Sequence, residues 1–481
     1  MERSNSEMLA EIKGLNEECG VFAVWGHNDA PQITYYGLHA LQHRGQEATG
    51  MVVTNGKILD IYKGNGLVTE VFQEESLRNL KGCGSIGHVR YCTSGGGGSE
   101  NIQPFLFRSS STYDLALAHN GNLVNANVLK AELEKMGSIF HSTSDTEVLG
   151  HLIRRSTKKP FIDQVMESLV RLEGAFAYLI MKDDELIGAR DPHGLRPLSL
   201  GRLGDGYILT SETCAFHVVG ATFIRDIEPG ELVWMNQEGI HFKRFAPKKI
   251  WAMCAMEYVY FARPDSDVDG ANVHSTRKKM GKYLAQETSV DADVVIGVPD
   301  SSISCAVGYA EQSGIPYELG LIKNRYVART FIQPSQALRE QGVKMKLSPV
   351  RSIVEGKRVI MVDDSIVRGT TSRRIVNLLR EAGATEVHVR IGCPPIRFPC
   401  FYGIDTSTKE ELISAKFSNE EVRKLIGADS LEYLSEQALI RAVQEEVNSS
   451  ENQGLCMACY TGQYPTALFG LDQEKEEKIK I

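Results

Sequence analysis

Val359-Ile360-Met361-Val362-Asp363-Asp364-Ser365-Ile366-Val367-Arg368-Gly369-Thr370-Thr371 reads as a buried strand that runs into two carboxylates, then a loop of small residues, then a helix. In an open α/β sheet, ligands gather beyond the carboxyl ends of the strands. Phosphates settle at the following helix N-terminus, where backbone N–H groups lack partners. Asp363 and Asp364 can accept hydrogen bonds from neighbouring ribose hydroxyls, and the loop from Ser365 through Gly369 and Thr370 to Thr371 offers amides and hydroxyls to a terminal phosphate. Arg368 adds positive charge. The helix is supported by Ile375, Val376, Leu378, Leu379 and Ala382 at helical spacing, with Gly383 where a C-terminal cap belongs. A lone Asp-Asp pair is as often the solvated end of a strand, but the whole pattern suits a phosphorylated sugar.

This stretch resembles the diphosphoribosyl-binding motif of the type I phosphoribosyltransferases. That family binds 5-phosphoribosyl 1-diphosphate with magnesium and replaces its pyrophosphate with a nucleophile. Upstream, Asp293 to Val298 reads as another buried strand, and Pro299-Asp300-Ser301-Ser302 turns from it into a helix. Strand-end logic makes this a second anion loop, placed for pyrophosphate. The resemblance puts Ser301 with Asp363 and Asp364 around Mg2+, and Asp300 and Ser302 beside the diphosphate. Lys323-Asn324-Arg325-Tyr326, Arg329-Thr330 and the polar run from Gln333 to Lys346 read as a mobile basic lid, with Lys323 the favoured contact.

A chain of 481 residues is too long for one ordinary core and implies two large domains. A net charge of −8 gives no basic field for nucleic acid, so phosphate binding must be local. No apolar run approaches the roughly 18 residues of a membrane span. The first 18 residues are polar and charged, unlike a secretory signal. Ten unevenly placed cysteines point to a reducing compartment, hence a cytoplasmic protein.

Cys19-Gly20-Val21-Phe22-Ala23-Val24 looks like a strand that starts at a cysteine. If the chain is cleaved before Cys19, its α-amine, with a pKa of about 7.7–8.0, can serve as general base for its own thiol. Four segments follow in order: Leu41 to Glu47 with Arg44, Gly87 to Thr93 with Arg90, Ala118-His119-Asn120-Gly121-Asn122, and Ser144-Asp145-Thr146-Glu147. Taken singly they have plain readings as an ion pair, a hairpin turn or a helix cap. Together, behind a cysteine, they resemble the amino-terminal-nucleophile glutamine amidotransferases. The resemblance implies an αββα sandwich of two antiparallel sheets, completed by short alternating runs between Ala175 and Phe245. It also implies a glutamine site: Arg90 forks onto the α-carboxylate, Asp145 pairs with the α-ammonium, and Arg44 supports the nucleophile or its loop as part of that site. The Asn120 side chain and the Gly121 N–H would form the oxyanion hole.

Cys456-Met457-Ala458-Cys459 is by spacing a redox pair, half a zinc site or half an iron–sulfur site. Cys254 and Cys400 match the other two ligand positions in the cluster-bearing branch of the glutamine phosphoribosylpyrophosphate amidotransferases. That family therefore implies a [4Fe–4S] cluster on Cys254, Cys400, Cys456 and Cys459, although spacing alone admits zinc.

The expected organisation is a propeptide at 1–18, a glutamine amidotransferase domain at 19–250, and a phosphoribosyltransferase domain with a cluster-binding end at 251–481. The fold class is α+β followed by an α/β parallel sheet. The expected reaction is glutamine hydrolysis with transfer of ammonia to 5-phosphoribosyl 1-diphosphate. By the same resemblance, purine nucleotides act as feedback inhibitors and the chain forms a homotetramer. A glucosamine-phosphate synthase would share only the first half, and a non-catalytic sugar-phosphate sensor would not need Cys19, Arg90 and Asp145.

Overall fold

Strand Gly20–Trp25 is inaccessible at its first five residues because it lies in the middle of a sheet covered on both faces. It belongs to a computed structural model that describes residues 19–91, 98–324, 347–404, 409–447 and 454–471. Its neighbours are Gly84–Arg90 and Gly206–Thr210, within a seven-stranded antiparallel sheet. A second antiparallel sheet of six strands, which contains the paired strands Leu115–Leu123 and Gly174–Lys182, lies against it. Strand alternation then sorts the side chains. Val21 and Ala23 point between the sheets towards Ala118, Ala177 and Leu209, while Phe22 and Val24 point out to Leu38 beneath helix Ala30–Ala40. Helices Thr146–Arg155 and Phe161–Leu169 cover the outer face of the second sheet through Leu149, Leu152 and Val165. This is the αββα sandwich expected from the sequence.

The second half is built on a parallel sheet of four strands in the order Val294–Gly297, Arg358–Asp363, Glu386–Ile391 and Ser430–Tyr433. Val359 to Val362 are wholly buried, as a strand covered on both faces requires. The helix anticipated from Ile375 to Ala382 spans Thr370–Glu381 and buries Ile375, Val376 and Leu379 against the sheet. Helices Val273–Glu287 and Ile303–Ser313 cross with backbones in contact, since a Cβ on Gly281 or Gly308 would sit 1.9 Å from a carbonyl oxygen of the other helix. A short parallel pair, Met253–Cys254 with Leu455–Cys456, ties the linker to the carboxyl-terminal segment. After it, Glu257–Phe261 forms one π-helical turn between the halves. No helix among the described residues is long and apolar enough to cross a membrane.

Candidate active sites

The antiparallel register Gly20↔Val89 brings the end of strand Gly84–Arg90 beside Cys19. A small pocket results, walled by Cys19, Arg90, Gln103, His119, Gly121 and Asp145. Gly121 and Asp145 come from the second sheet and the helix behind it, so the pocket exists only because the two sheets are packed. Gly121 has φ of 140°, and a Cβ there would lie 2.1 Å from the Ala175 carbonyl oxygen, so only glycine fits. Alternation along Leu115–Leu123 turns Asn120 away from this wall. Its side-chain Nδ2 lies 3.5 Å from the Ser211 hydroxyl, which also accepts the N–H of Val21 at 3.0 Å. Asp145 opens helix Thr146–Arg155 without capping it and instead accepts the Leu123 N–H at 2.8 Å. Burial opposes its ionisation, but the nearby His119 and the backbone N–H groups of Leu123 and Thr146 overcome that and hold the carboxyl below its ordinary range. An ionised Asp145 facing the pocket is suited to an ammonium group.

Arg44 lies behind the glutamine pocket, at the nucleophile's backbone. It does not wall the pocket. Its guanidinium is buried, with Nε donating to the Cys19 carbonyl at 3.2 Å and the terminal nitrogens donating to Glu212 and Glu257 at 2.5 and 2.7 Å. It therefore fixes the nucleophile's backbone rather than contacting a ligand. His119 and Gln103 escaped the sequence reading. His119 stacks on Tyr178 with ring centroids 4.2 Å apart, and its own N–H donates to Gln103 Oε1 at 2.7 Å.

The second site is a cavity of about 430 Å³ at the carboxyl ends of strands Val294–Gly297 and Arg358–Asp363. Asp363 and Asp364 face it, and so do Asp300, Ser301, Lys323 and the loop Ser365 to Thr371. Ser301 donates to Asp364, Ser365 donates to Asp364 at 2.8 Å, and Gly369 adopts φ of 76° to start helix Thr370–Glu381. Burial, and then the neighbouring charge of Asp364, push the Asp363 carboxyl up to about 8. Burial also raises Asp364. Such a pair is relieved by a cation. Ser302, expected beside the diphosphate, sits behind the wall. It is buried and donates to Asp363 at 3.1 Å, so it supports an acid rather than facing the cavity. Lys323 is paired with Asp300 at 2.9 Å, and Arg368 with Glu411 at 2.8 Å. The rest of the expected lid, from Arg325 to Lys346, lies outside the described residues.

Tyr260 and Arg263 of the linker also stand in this cavity's wall, as do Arg277 and His43, which sequence reasoning missed there. Arg277 lies buried on helix Val273–Glu287 and donates to the carbonyls of Tyr258 and Ala262 at 2.7 and 2.8 Å, and burial lowers its pKa to about 10.

Cys254, Cys400, Cys456 and Cys459 share a third cavity with Leu195 and Arg196. Cys254 and Cys456 are register partners across the short parallel pair, and Cys459 lies in the helical turn Ala458–Thr461. Two of the sulfurs accept backbone N–H groups, Cys400 from Tyr402 at 3.3 Å and Cys456 from Ala458. Burial pushes the Cys456 thiol up to about 12 and also raises Cys459, the latter with a further push from the neighbouring thiols of Cys254, Cys456 and Cys400. Among the described residues, no three His, Cys, Asp or Glu side chains are grouped tightly enough to hold a metal ion. The remaining described cysteines, Cys83, Cys214, Cys305 and Cys393, line none of these three cavities.

Comparison with known proteins adds to this geometry. Residues 92–218 match a glutamine amidotransferase domain and residues 273–393 a phosphoribosyl transferase domain. The chain is 65% identical to the amidophosphoribosyltransferase of Bacillus subtilis (strain 168) over 462 residues, covering 96% of this chain and 97% of that one. It is 55% identical to that of Staphylococcus aureus (strain COL) over 477 residues, covering 98% and 95%. The solved glutamine phosphoribosylpyrophosphate amidotransferase from B. subtilis, complexed with ADP and GMP, superposes with a TM-score of 0.89 at 64% identity, covering 94% of this chain and 98% of that one.

Proposed function

The chain belongs to the amidophosphoribosyltransferase family, and from that premise we propose how its residues divide the work. The enzyme hydrolyses glutamine and transfers the ammonia to 5-phosphoribosyl 1-diphosphate, giving 5-phosphoribosylamine, glutamate and pyrophosphate, the committed step of purine synthesis. The observation that carries the assignment of roles is that a cysteine-walled pocket beside an ionised Asp145 and a strand-end cavity with two adjacent acids lie on one chain.

In the first site, removal of residues 1–18 frees the Cys19 amine, which takes the proton of its own thiol. Arg90 and Asp145 hold the two ends of the amino acid's zwitterion while the sulfur attacks the side-chain amide. The Gly121 N–H takes up the charge of the tetrahedral oxygen, with the Asn120 amide as the second donor the family resemblance implies. Ammonia leaves, and water hydrolyses the thioester. Ammonia is mostly protonated near neutral pH, so it passes to the second site through a sequestered interdomain route, for which the linker residues Tyr260 to Pro264 in the cavity wall are the material at hand.

In the second site, the Ser365 to Thr371 loop binds the 5-phosphate and the Asp300-Ser301 loop and Lys323 face the pyrophosphate. Ser301, Asp363 and Asp364 would hold magnesium, which supplies positive charge to the leaving group. The raised Asp363 supports this, because a cation is what would let both acids ionise.

The four clustered thiols are assigned to a [4Fe–4S] group. They line one cavity together, and backbone N–H groups point at two of the sulfurs. Its role is structural, pinning the carboxyl-terminal segment to the linker. Purine nucleotides as inhibitors, a homotetrameric assembly and a cytoplasmic location complete the reading; the B. subtilis relative solved with ADP and GMP supports the first of these.

Purified protein given glutamine, magnesium and 5-phosphoribosyl 1-diphosphate should release glutamate and pyrophosphate in equal amounts, with aminated sugar. Mass spectrometry should find Cys19 at the amino terminus, and iron analysis four atoms per chain. Full activity with the leader retained would refute the amine as base, and stoichiometric zinc in place of iron would refute the cluster.

A further inference from the structure

Gly121 faces Phe176 across the ladder, and Phe176 gives its N–H to the Asp191 side chain at 3.3 Å and accepts the Asp191 N–H at 2.9 Å. The pair is therefore not hydrogen-bonded, so the N–H and carbonyl of Gly121 point away from strand Gly174–Lys182. On that side the N–H groups of His119 and Leu123 go to Gln103 Oε1 at 2.7 Å and Asp145 Oδ2 at 2.8 Å, and Gly121 between them faces the pocket. The peptide that follows Gly121 is met from behind by loop 400–403. Asn122 Nδ2 donates to the Phe401 carbonyl at 2.9 Å, and a Cβ on Gly403 would lie 3.4 Å from the Gly121 carbonyl carbon. The loop is itself pinned. Arg196 donates to the Tyr402 carbonyl at 2.5 Å, Tyr464 donates to the Pro399 carbonyl at 2.6 Å, and the Tyr402 hydroxyl lies 2.8 Å from Thr466 Oγ1.

We propose that Asn122 is a positioning residue for amide hydrolysis: by fastening its strand to the Phe401 carbonyl it fixes the direction of the Gly121 N–H. Gly121 has no side chain, and its φ of 140° lies where only glycine moves freely, so the residue does not by itself hold its peptide at one angle. A donor stabilises a tetrahedral oxygen best when it is aimed in advance, because a peptide that must turn during the reaction gives up part of what it gains. Asn122 supplies the stop one residue later. It does not line the glutamine pocket, so it acts only through the backbone. Its partner is 279 residues away, so the aim of a donor in the first half of the chain is set by a loop of the second.

The inference rests on Cys19 as nucleophile and on Gly121 as oxyanion donor. Full-length, iron-loaded enzyme is assayed for kcat and KM with glutamine, and for amination with added ammonia, in Asn122→Ala and Asn122→Asp. The first removes the donor, and the second puts an acceptor in nearly the same volume, so a packing defect in one is not shared by the other. Asn122 is half-buried, and neither change empties a core. In both variants kcat with glutamine should fall by about tenfold to hundredfold, less than the roughly 10²–10³ of losing the oxyanion donor outright. The glutamine KM should stay within about twofold, since Arg90 and Asp145 keep their places, and so should ammonia-dependent kcat and iron per chain. A merely structural role would instead lower both routes together and lose iron. A glutamine kcat within about twofold of wild type, a rise in KM at unchanged kcat, or an equal loss by both routes overturns the proposal. Failure of the underlying reading has a different signature, namely glutamate release that persists in Cys19→Ala or is unchanged in Gly121→Ala.

Discussion

Asp145, half-buried, and Asp363, buried, are both carboxylates in the wall of a substrate pocket, and the protein treats them in opposite ways. Asp145 is surrounded by His119 and backbone N–H groups that hold it ionised. Asp363 has another acid beside it, receives one hydroxyl and one N–H, and is pushed up to about 8. The glutamine pocket is therefore electrostatically finished by the polypeptide. The sugar cavity is left with an excess of acid that a bound cation completes. One site is suited to a ligand carrying its own balanced charges, the other to a polyanion arriving with metal.

The sharpest break of this pairing is Cys19→Ala. Glutamine-dependent product should fall by at least about 10³-fold, the scale expected when an enzyme loses its nucleophile, while amination with added ammonia stays within about twofold of wild type. Pyrophosphate release with either nitrogen source measures both. If both routes collapse together, the two sites are not chemically separate and the contrast drawn above fails. Asp363→Asn should do the reverse. It should lower both routes by about 10²-fold or more, because the lost charge is the one that would hold the metal. Retention of magnesium-dependent activity in that variant would move the metal elsewhere.

How much of this contrast could be read without the structure follows from where the partners lie in the chain. The acids of the second site are contiguous with a four-residue apolar strand and an amphipathic helix, so periodicity alone placed them at a strand end. Gly383 after that helix was equally plain, because a helix stop is a local event. What anchors Arg44 was not legible, because Glu212 and Glu257 lie 168 and 213 residues away. No local pattern encodes such a pairing. His43 and Arg277 were missed for the same reason, since on their own elements they look like an ordinary turn residue and a helix charge. Ser302 illustrates a narrower failure. Spacing located its loop, but one residue decides whether a hydroxyl faces the ligand, as Ser301 does, or the acid behind it.

Gly121→Ala sharpens the same comparison from the glutamine side. The added methyl would meet the Ala175 carbonyl at 2.1 Å with φ already at 140°, so the strand must shift and its N–H turns from the reacting carbonyl. Loss of one oxyanion donor costs about 10²–10³ in rate, and that loss should appear in glutamine-dependent turnover and be absent with ammonia. An equal loss by both routes would mean that the strand supports the sugar cavity as well.

The mildest effect concerns the scaffold that keeps Asp145 in place. Glu147, in the first turn of the helix that Asp145 opens, accepts the N–H groups of His141 and Ser142 at 2.9 and 2.8 Å and the Ser142 hydroxyl at 2.6 Å. Burial opposes its charge, but His151 and Ser142 together with the two backbone donors prevail and bring its carboxyl from 4.5 down to about 2. A carboxyl whose folded pKa is depressed contributes stability that is fully present above the unfolded value and is lost as pH falls through the folded one. Glu147→Gln should therefore melt below wild type at neutral pH, and the gap in Tm should close as pH drops from about 4.5 towards 2. The glutamine KM should rise by only about twofold to fivefold, because Asp145 keeps its own Leu123 N–H. A gap in Tm that stays constant across that pH interval would mean that the loop 141–142 is held by shape rather than by charge. The preorganisation ascribed to the glutamine site would then be steric, and its contrast with the metal-completed cavity would no longer be an electrostatic one.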